Sequence, residues 1–275
     1  RGRLLVAEGS QRGFDSSDWL DDALRSFDQA IVLGPTDGRA YYYRGIAYLG
    51  AQDLQAAEES FLQVQALKRG PLIGKAMERV SLIQKVRRAA PGSTWGTKLG
   101  LVKQISRAEL TVLLLEELKL IDLVRQRRPQ QRQMKFRTPE EAVPNPATPS
   151  DIEFSWAQPW IENILQIGIP GLEIVNGEFR PDEPITRSNY ARVNEGILTL
   201  ITGDRELSTK YIGESSPFTD VRSDSYAFNA IVVNVNRGIM SVDKLSGQFR
   251  PDAPVTGAEA LSIVRELQNA VRMEF

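Results

Sequence analysis

The chain has 275 residues, with 34 Lys and Arg against 35 Asp and Glu, and neither His nor Cys. A net charge of −1 gives no basic excess of the kind a nucleic-acid-binding surface needs. Without His or Cys there is no zinc finger, thiolate nucleophile, Ser-His-Asp triad or ordinary haem ligation. The length suits one to two domains at roughly 150 residues each, and 41% apolar with 25% charged residues is an ordinary globular composition. The apolar run Leu110–Leu115 falls far short of the ~18 residues of a membrane span. Because the chain opens at Arg1 rather than Met, a processed or incomplete start is expected. A signal peptide or lipid anchor would lie before it.

Taken in order, residues 1–74 carry one repeat. Ala23 and Phe27 recur 34 residues on as Ala57 and Phe61, and Pro35 closes the earlier unit. Tyr41, Gly45 and Tyr48 then fall at aromatic, small and aromatic places of a next helix, with Gly45 and Ala57 small enough for close helix approach. A 34-residue period of this kind resembles tetratricopeptide repeats. The earlier copy is stretched around Gly13–Trp19. Arg39, Tyr42, Ile46 and Leu49 are spaced to share one helix stripe. The resemblance implies a concave, protein-binding face on that stripe. The other reading is that a following helix, Leu72–Arg88, covers it.

Further along, Gly177-Glu178-Phe179-Arg180-Pro181-Asp182-Glu183-Pro184-Ile185-Thr186 is repeated 70 residues on as Gly247-Gln248-Phe249-Arg250-Pro251-Asp252-Ala253-Pro254-Val255-Thr256. Gly168-Ile169 and Gly238-Ile239 keep the same offset. Each unit reads as an apolar-faced helix, a glycine stop, a G-x-F-x-P-D loop, and a second helix capped by Thr. Phe179 and Phe249 are expected to plug under their loops. Thr256 and Glu259 have capping-box spacing, as do Ser106 and Glu109. Ile105–Leu110 therefore opens a third, degenerate copy, continued by an apolar helix over Leu110–Leu120. Its G-x-F-x-P-D loop is replaced by Trp95-Gly96-Thr97-Lys98-Leu99-Gly100.

These three segments resemble S-layer homology (SLH) modules. The resulting division is 75–126 for the degenerate first module, 127–150 for an Arg/Gln/Pro-rich linker, 151–205 for the second module and 216–272 for the third. The fold class expected is mostly α, with helical hairpins followed by three helix–loop–helix modules in a pseudo-threefold bundle. The resemblance implies a non-catalytic protein of the bacterial cell envelope, exported, with cell-wall polysaccharide and envelope proteins as partners. A structural scaffold that uses its SLH modules as a protein–protein interface is the alternative.

Arg107 and Arg187 each stand just inside a helix N-terminus, where the free N–H groups favour an anion. The resemblance implies that such an Arg helps to hold an anionic, often pyruvylated, wall glycan. Thr186 and Trp160 complete the candidate glycan-binding set, with capping as the favoured role of Thr186. Trp156 and Trp160 are i, i+4, and one of them could border a groove and stack on a sugar ring, with core packing the favoured role of either. Gly257 stands in the Arg place of the third module and suggests a lost or altered site. The basic stretch Arg125–Arg137 reads as a solvated linker. No phosphate-binding loop, dinucleotide Gly pattern or metal-ligand spacing is present. Neither an enzyme nor a cofactor is expected.

Overall fold

The structure is a computed structural model, and it describes residues 18–132 and 149–273. It is mostly helical, as the periodicity predicts. The chain divides between Arg88 and Ala89 into two units.

In the first unit, α1 (Asp18–Leu33), α2 (Gly38–Gly50), α3 (Leu54–Ala66) and α4 (Ile73–Ala89) follow one another. The α2 and α3 starts are set by Asp37 and Asp53, whose carboxylates accept from Arg39 N at 3.0 Å and Ala56 N at 2.9 Å. Each satisfies an N–H that the helix leaves unpaired. Ala23, Ala57 and Phe61 are fully buried and Phe27 nearly so, so the 34-residue spacing marks core positions. A Cβ on Gly45 would lie 2.8 Å from the Phe61 ring, which is why glycine is needed where these helices approach. Ala76, Val80 and Ile83 of α4 join Tyr42, Phe61 and Val64 in the same core. The helix expected over Leu72–Arg88 thus contributes Ala76, Val80 and Ile83 to this core.

The second unit contains α5 (Thr94–Gly100), α6 (Arg107–Glu116), α7 (Leu120–Arg132), α8 (Gln158–Ile167), α9 (Arg187–Thr202), α10 (Phe228–Asn236) and α11 (Gly257–Met273). Here α8 packs on α6, α10 on α9 and α5 on α11. Every second helix of one module is therefore covered by the first helix of another. Three backbone hydrogen bonds close the arrangement. Ile105 N donates to Val255 O, Val255 N to Ile185 O, and Ile185 N to Ile105 O, each at 2.9 Å. This closed triangle of equivalent residues is a pseudo-threefold relation of the kind that the resemblance to SLH modules implies.

Several local expectations change. The segment Trp95–Gly100, read as a replacement loop, lies in the short helix α5, started by Ser93 Oγ accepting from Gly96 N at 2.9 Å. The apolar run expected over Leu110–Leu120 breaks at Glu116, with Lys119 in the left-handed region at φ 57° before α7 begins. α7 continues to Arg132, so the first residues of the expected linker are helical. Residues 133–148, with Lys135 and Arg137, lie outside the described residues.

Candidate functional site

The helix starts of the repeated modules are where the sequence places anion-binding chemistry, and the structure gives those groups other partners. At α6, Arg107 N and Ala108 N donate to Glu183 O and Pro181 O, both at 2.9 Å. At α9, Arg187 N and Ser188 N donate in the same way to Ala253 O at 3.0 Å and Pro251 O at 2.9 Å. At α11, Gly257 N donates to Val102 O at 2.9 Å. The N–H groups that would greet an anion are satisfied by the loop of the neighbouring module.

The guanidinium groups follow their backbones. Arg107 is buried, and it donates through Nε to Phe179 O at 2.7 Å, through Nη1 to Gly171 O at 2.9 Å and through Nη2 to Glu173 O at 3.0 Å. Its guanidinium carbon lies 4.8 Å from the Phe179 ring centroid, a cation–π contact. Burial pulls its pKa below the ordinary guanidinium value, while Glu183 and Glu173 push back. Arg187 repeats the pattern on the third module. Nε donates to Phe249 O at 2.7 Å, Nη2 to Ser241 O at 2.7 Å, and Nη1 to the Glu259 carboxylate. Its guanidinium carbon sits 4.5 Å from the Phe249 ring centroid. Phe179 and Phe249 are buried beneath their loops, as expected. The Glu259 carboxylate, assigned to a capping box, turns to Arg187, whereas Ser106 and Glu109 form the complete box.

Sequence reading missed the residues that fix these loops. Asp151 accepts from Phe179 N at 2.9 Å and Arg180 N at 2.6 Å. Asp220 accepts from Phe249 N at 2.8 Å and Arg250 N at 2.7 Å. Arg180 and Arg250 both take the left-handed conformation, at φ 58° and 60°. The two Asp residues are 69 apart rather than 70, so they fall out of the ungapped register that revealed the other pairs. Thr186 acts as the cap of α9, its Oγ1 accepting from Asn189 N at 3.3 Å.

Trp160 behaves differently. Its Nε1 donates to the Glu116 carboxylate at 2.8 Å, and its ring meets Trp95 and Trp156 at centroid distances of 5.6 and 6.1 Å. Trp156, expected to favour the core, is 48% exposed. In the first unit the candidate stripe is turned inward. Tyr42 is buried edge-on to Phe61 at 5.5 Å, and Ile46 and Leu49 pack against the same core. Arg39 remains exposed and pairs with Asp37 at 2.7 Å. Of the stripe, Tyr42 is buried, Ile46 and Leu49 are partly buried and Arg39 stays outside.

Residues 217–261 match the family model of the S-layer homology domain. That stretch is similar to the SLH domain. It spans the third repeat from the loop before Asp220 into α11, and so includes the Phe249 loop and the Glu259 partner of Arg187. No curated protein matches the chain. Among the described residues, no group of three or more His, Cys, Asp and Glu side chains is placed to hold a metal ion. No described helix is long and apolar enough to cross a membrane.

Proposed function

We propose that this is a non-catalytic envelope protein whose second unit attaches to bacterial cell-wall polysaccharide. The SLH match at 217–261 carries the reading. Its support extends over the whole unit, because the Ile105–Ile185–Val255 triangle joins the matched module to two others with equivalent helix starts. The first unit, with its resemblance to tetratricopeptide hairpins, is the part that docks a protein. Tyr42 lies in its core and Ile46 and Leu49 pack partly buried against it, so the docking we propose uses the rest of its outer surface.

The geometry shifts the expected chemistry. Arg107 and Arg187 each place three N–H groups on acceptors within the protein. They act here as positioning residues that fix one module on the next, and the polymer contact lies elsewhere on the unit. Co-sedimentation with purified wall sacculi tests the function. The full chain should pellet with intact sacculi and remain in solution once the wall polysaccharide has been stripped by hydrofluoric acid. Equal pelleting with stripped sacculi, or none with either, would favour a scaffold that uses its modules to bind protein.

A further inference from the structure

Three of the four tryptophans in this chain converge at one place. Trp95 and Trp156 are stacked, with centroids 5.3 Å apart and planes within 19°. Trp160 stands edge-on to Trp95 at 72°. Two adjacent carboxylates at the end of α6 hold this group. Glu116 fixes Trp160 through its indole N–H. Glu117 accepts from Gly92 N at 2.6 Å, Ser93 N at 3.1 Å and Ser93 Oγ at 2.7 Å, which anchors the start of α5 and with it Trp95. A Cβ on Gly96 would lie 2.4 Å from Glu117 Oε2, so glycine admits the carboxylate.

Core packing alone does not account for the outcome. Fully burying a large apolar side chain is worth about 1.5–3 kcal/mol, yet Trp156 stays 48% exposed on a stack whose other members are pinned. Lys98 Nζ lies 5.0 Å from the Trp95 centroid, and the Glu116 carboxylate borders Trp160. A rigid aromatic face edged by Lys98 and by the Glu116 carboxylate, which also pairs with Lys119 at 3.7 Å, suits a ligand with an apolar C–H face and a rim of hydroxyl groups. That is a pyranose ring. Its C–H bonds present weakly positive hydrogens to the negative indole face, and its hydroxyls can donate to Glu116 and accept from Lys98.

We propose that Trp95, Trp156 and Trp160 form a pyranose-stacking platform that binds a sugar of the wall polysaccharide. The platform rests on the wall-attachment reading and names the site within it. It is separate from the helix N-terminus implied by family resemblance. Arg107 and Glu116 begin and end α6, roughly 13 Å apart at 1.5 Å per residue.

The test uses the full chain and polysaccharide released from wall sacculi, followed by intrinsic tryptophan fluorescence and by sedimentation with intact sacculi. Polysaccharide should change the emission saturably. Trp156→Ala should weaken binding about tenfold, and Trp156→Tyr, which keeps a ring, should recover most of it. Full binding by a Trp156→Ala protein overturns the platform and leaves wall attachment standing. If Trp156→Ala lowers the melting temperature, wild-type fluorescence decides, and binding without an emission change overturns the platform. A wild-type chain that binds neither sacculi nor polysaccharide removes both readings.

Discussion

Gly257 begins α11 against Leu99, whose carbonyl oxygen would lie 1.9 Å from any Cβ placed on that glycine. The same Cβ would lie 3.0 Å from Leu99 C and from Val102 N. All three obstacles are backbone atoms, so no side chain can move aside. Gly257→Ala should therefore destabilise the second unit by about 1–3 kcal/mol or more. Urea unfolding should show a lower midpoint, and an unchanged midpoint would mean that the close approach of α5 to α11 is not as described.

Arg107→Lys tests the positioning role. Lysine keeps the charge but cannot reproduce the planar fork that serves Phe179 O, Gly171 O and Glu173 O. Leaving buried carbonyls unpaired should cost on the order of 2–4 kcal/mol. Denaturant unfolding of the variant should show that loss. Wild-type stability with reduced polysaccharide binding would instead return Arg107 to the role of a ligand-contacting residue.

How much of this was legible in the sequence depends on which atoms decide each feature. The helix starts at Ser106, Thr186 and Thr256, the buried Phe179 and Phe249, and the core positions Ala57 and Phe61 follow from local chemistry and spacing. The partners of Arg107 and Arg187 do not. Apart from the Glu259 carboxylate on Arg187, they are main-chain carbonyls supplied by another module, and a carbonyl has no signature in an amino-acid string. Gly257 illustrates the same limit, since the approach of the Leu99 backbone that excludes a Cβ there has no signature in the sequence. Trp95 carries no signal in the sequence, because its segment lacks the loop signature of the other two copies. Its meeting with Trp156 and Trp160 is purely tertiary.

Glu195 should make stability depend on pH in an unusual direction. Burial pushes its pKa above the ordinary carboxylate value, against the opposing effects of the Asn229 hydrogen bond and Arg192. A folded-state pKa above the unfolded value means that the charged form is disfavoured in the fold. The cost is fully present above the folded pKa and disappears as pH falls toward the unfolded value. Glu195→Gln keeps an oxygen acceptor for Asn229 and removes the charge. It should raise the melting temperature at pH 8, with the advantage shrinking at pH 4. A constant difference across that range would remove the assignment.

Leu49→Glu probes the inward-facing stripe of the first unit. Leu49 packs against the cluster containing Tyr42, Phe61 and Ile83. A carboxylate there should destabilise the unit by on the order of 2 kcal/mol. The thermal transition of the unit should move down, and an unmoved transition would mean that the stripe is open to solvent after all.

Cleavage of the chain between residues 133 and 148 should leave the second unit assembled. The triangle pairs Ile105, on one side of the cut, with Ile185 and Val255 on the other. A chain with a specific protease site inserted there should, after cutting, elute from gel filtration as one species containing both fragments. Separate elution would show that the modules are independent.

The triangle also fixes a copy number. A linear stack of repeats has a free end and accepts another unit there. Here Ile105 gives its N–H to Val255, Val255 to Ile185 and Ile185 back to Ile105, so each N–H donor of the set is already used within it. A fourth module appended to this chain would find no vacant N–H donor in the triangle. Growth by duplication would have to found a second closed set, in whole threes, rather than lengthen the first.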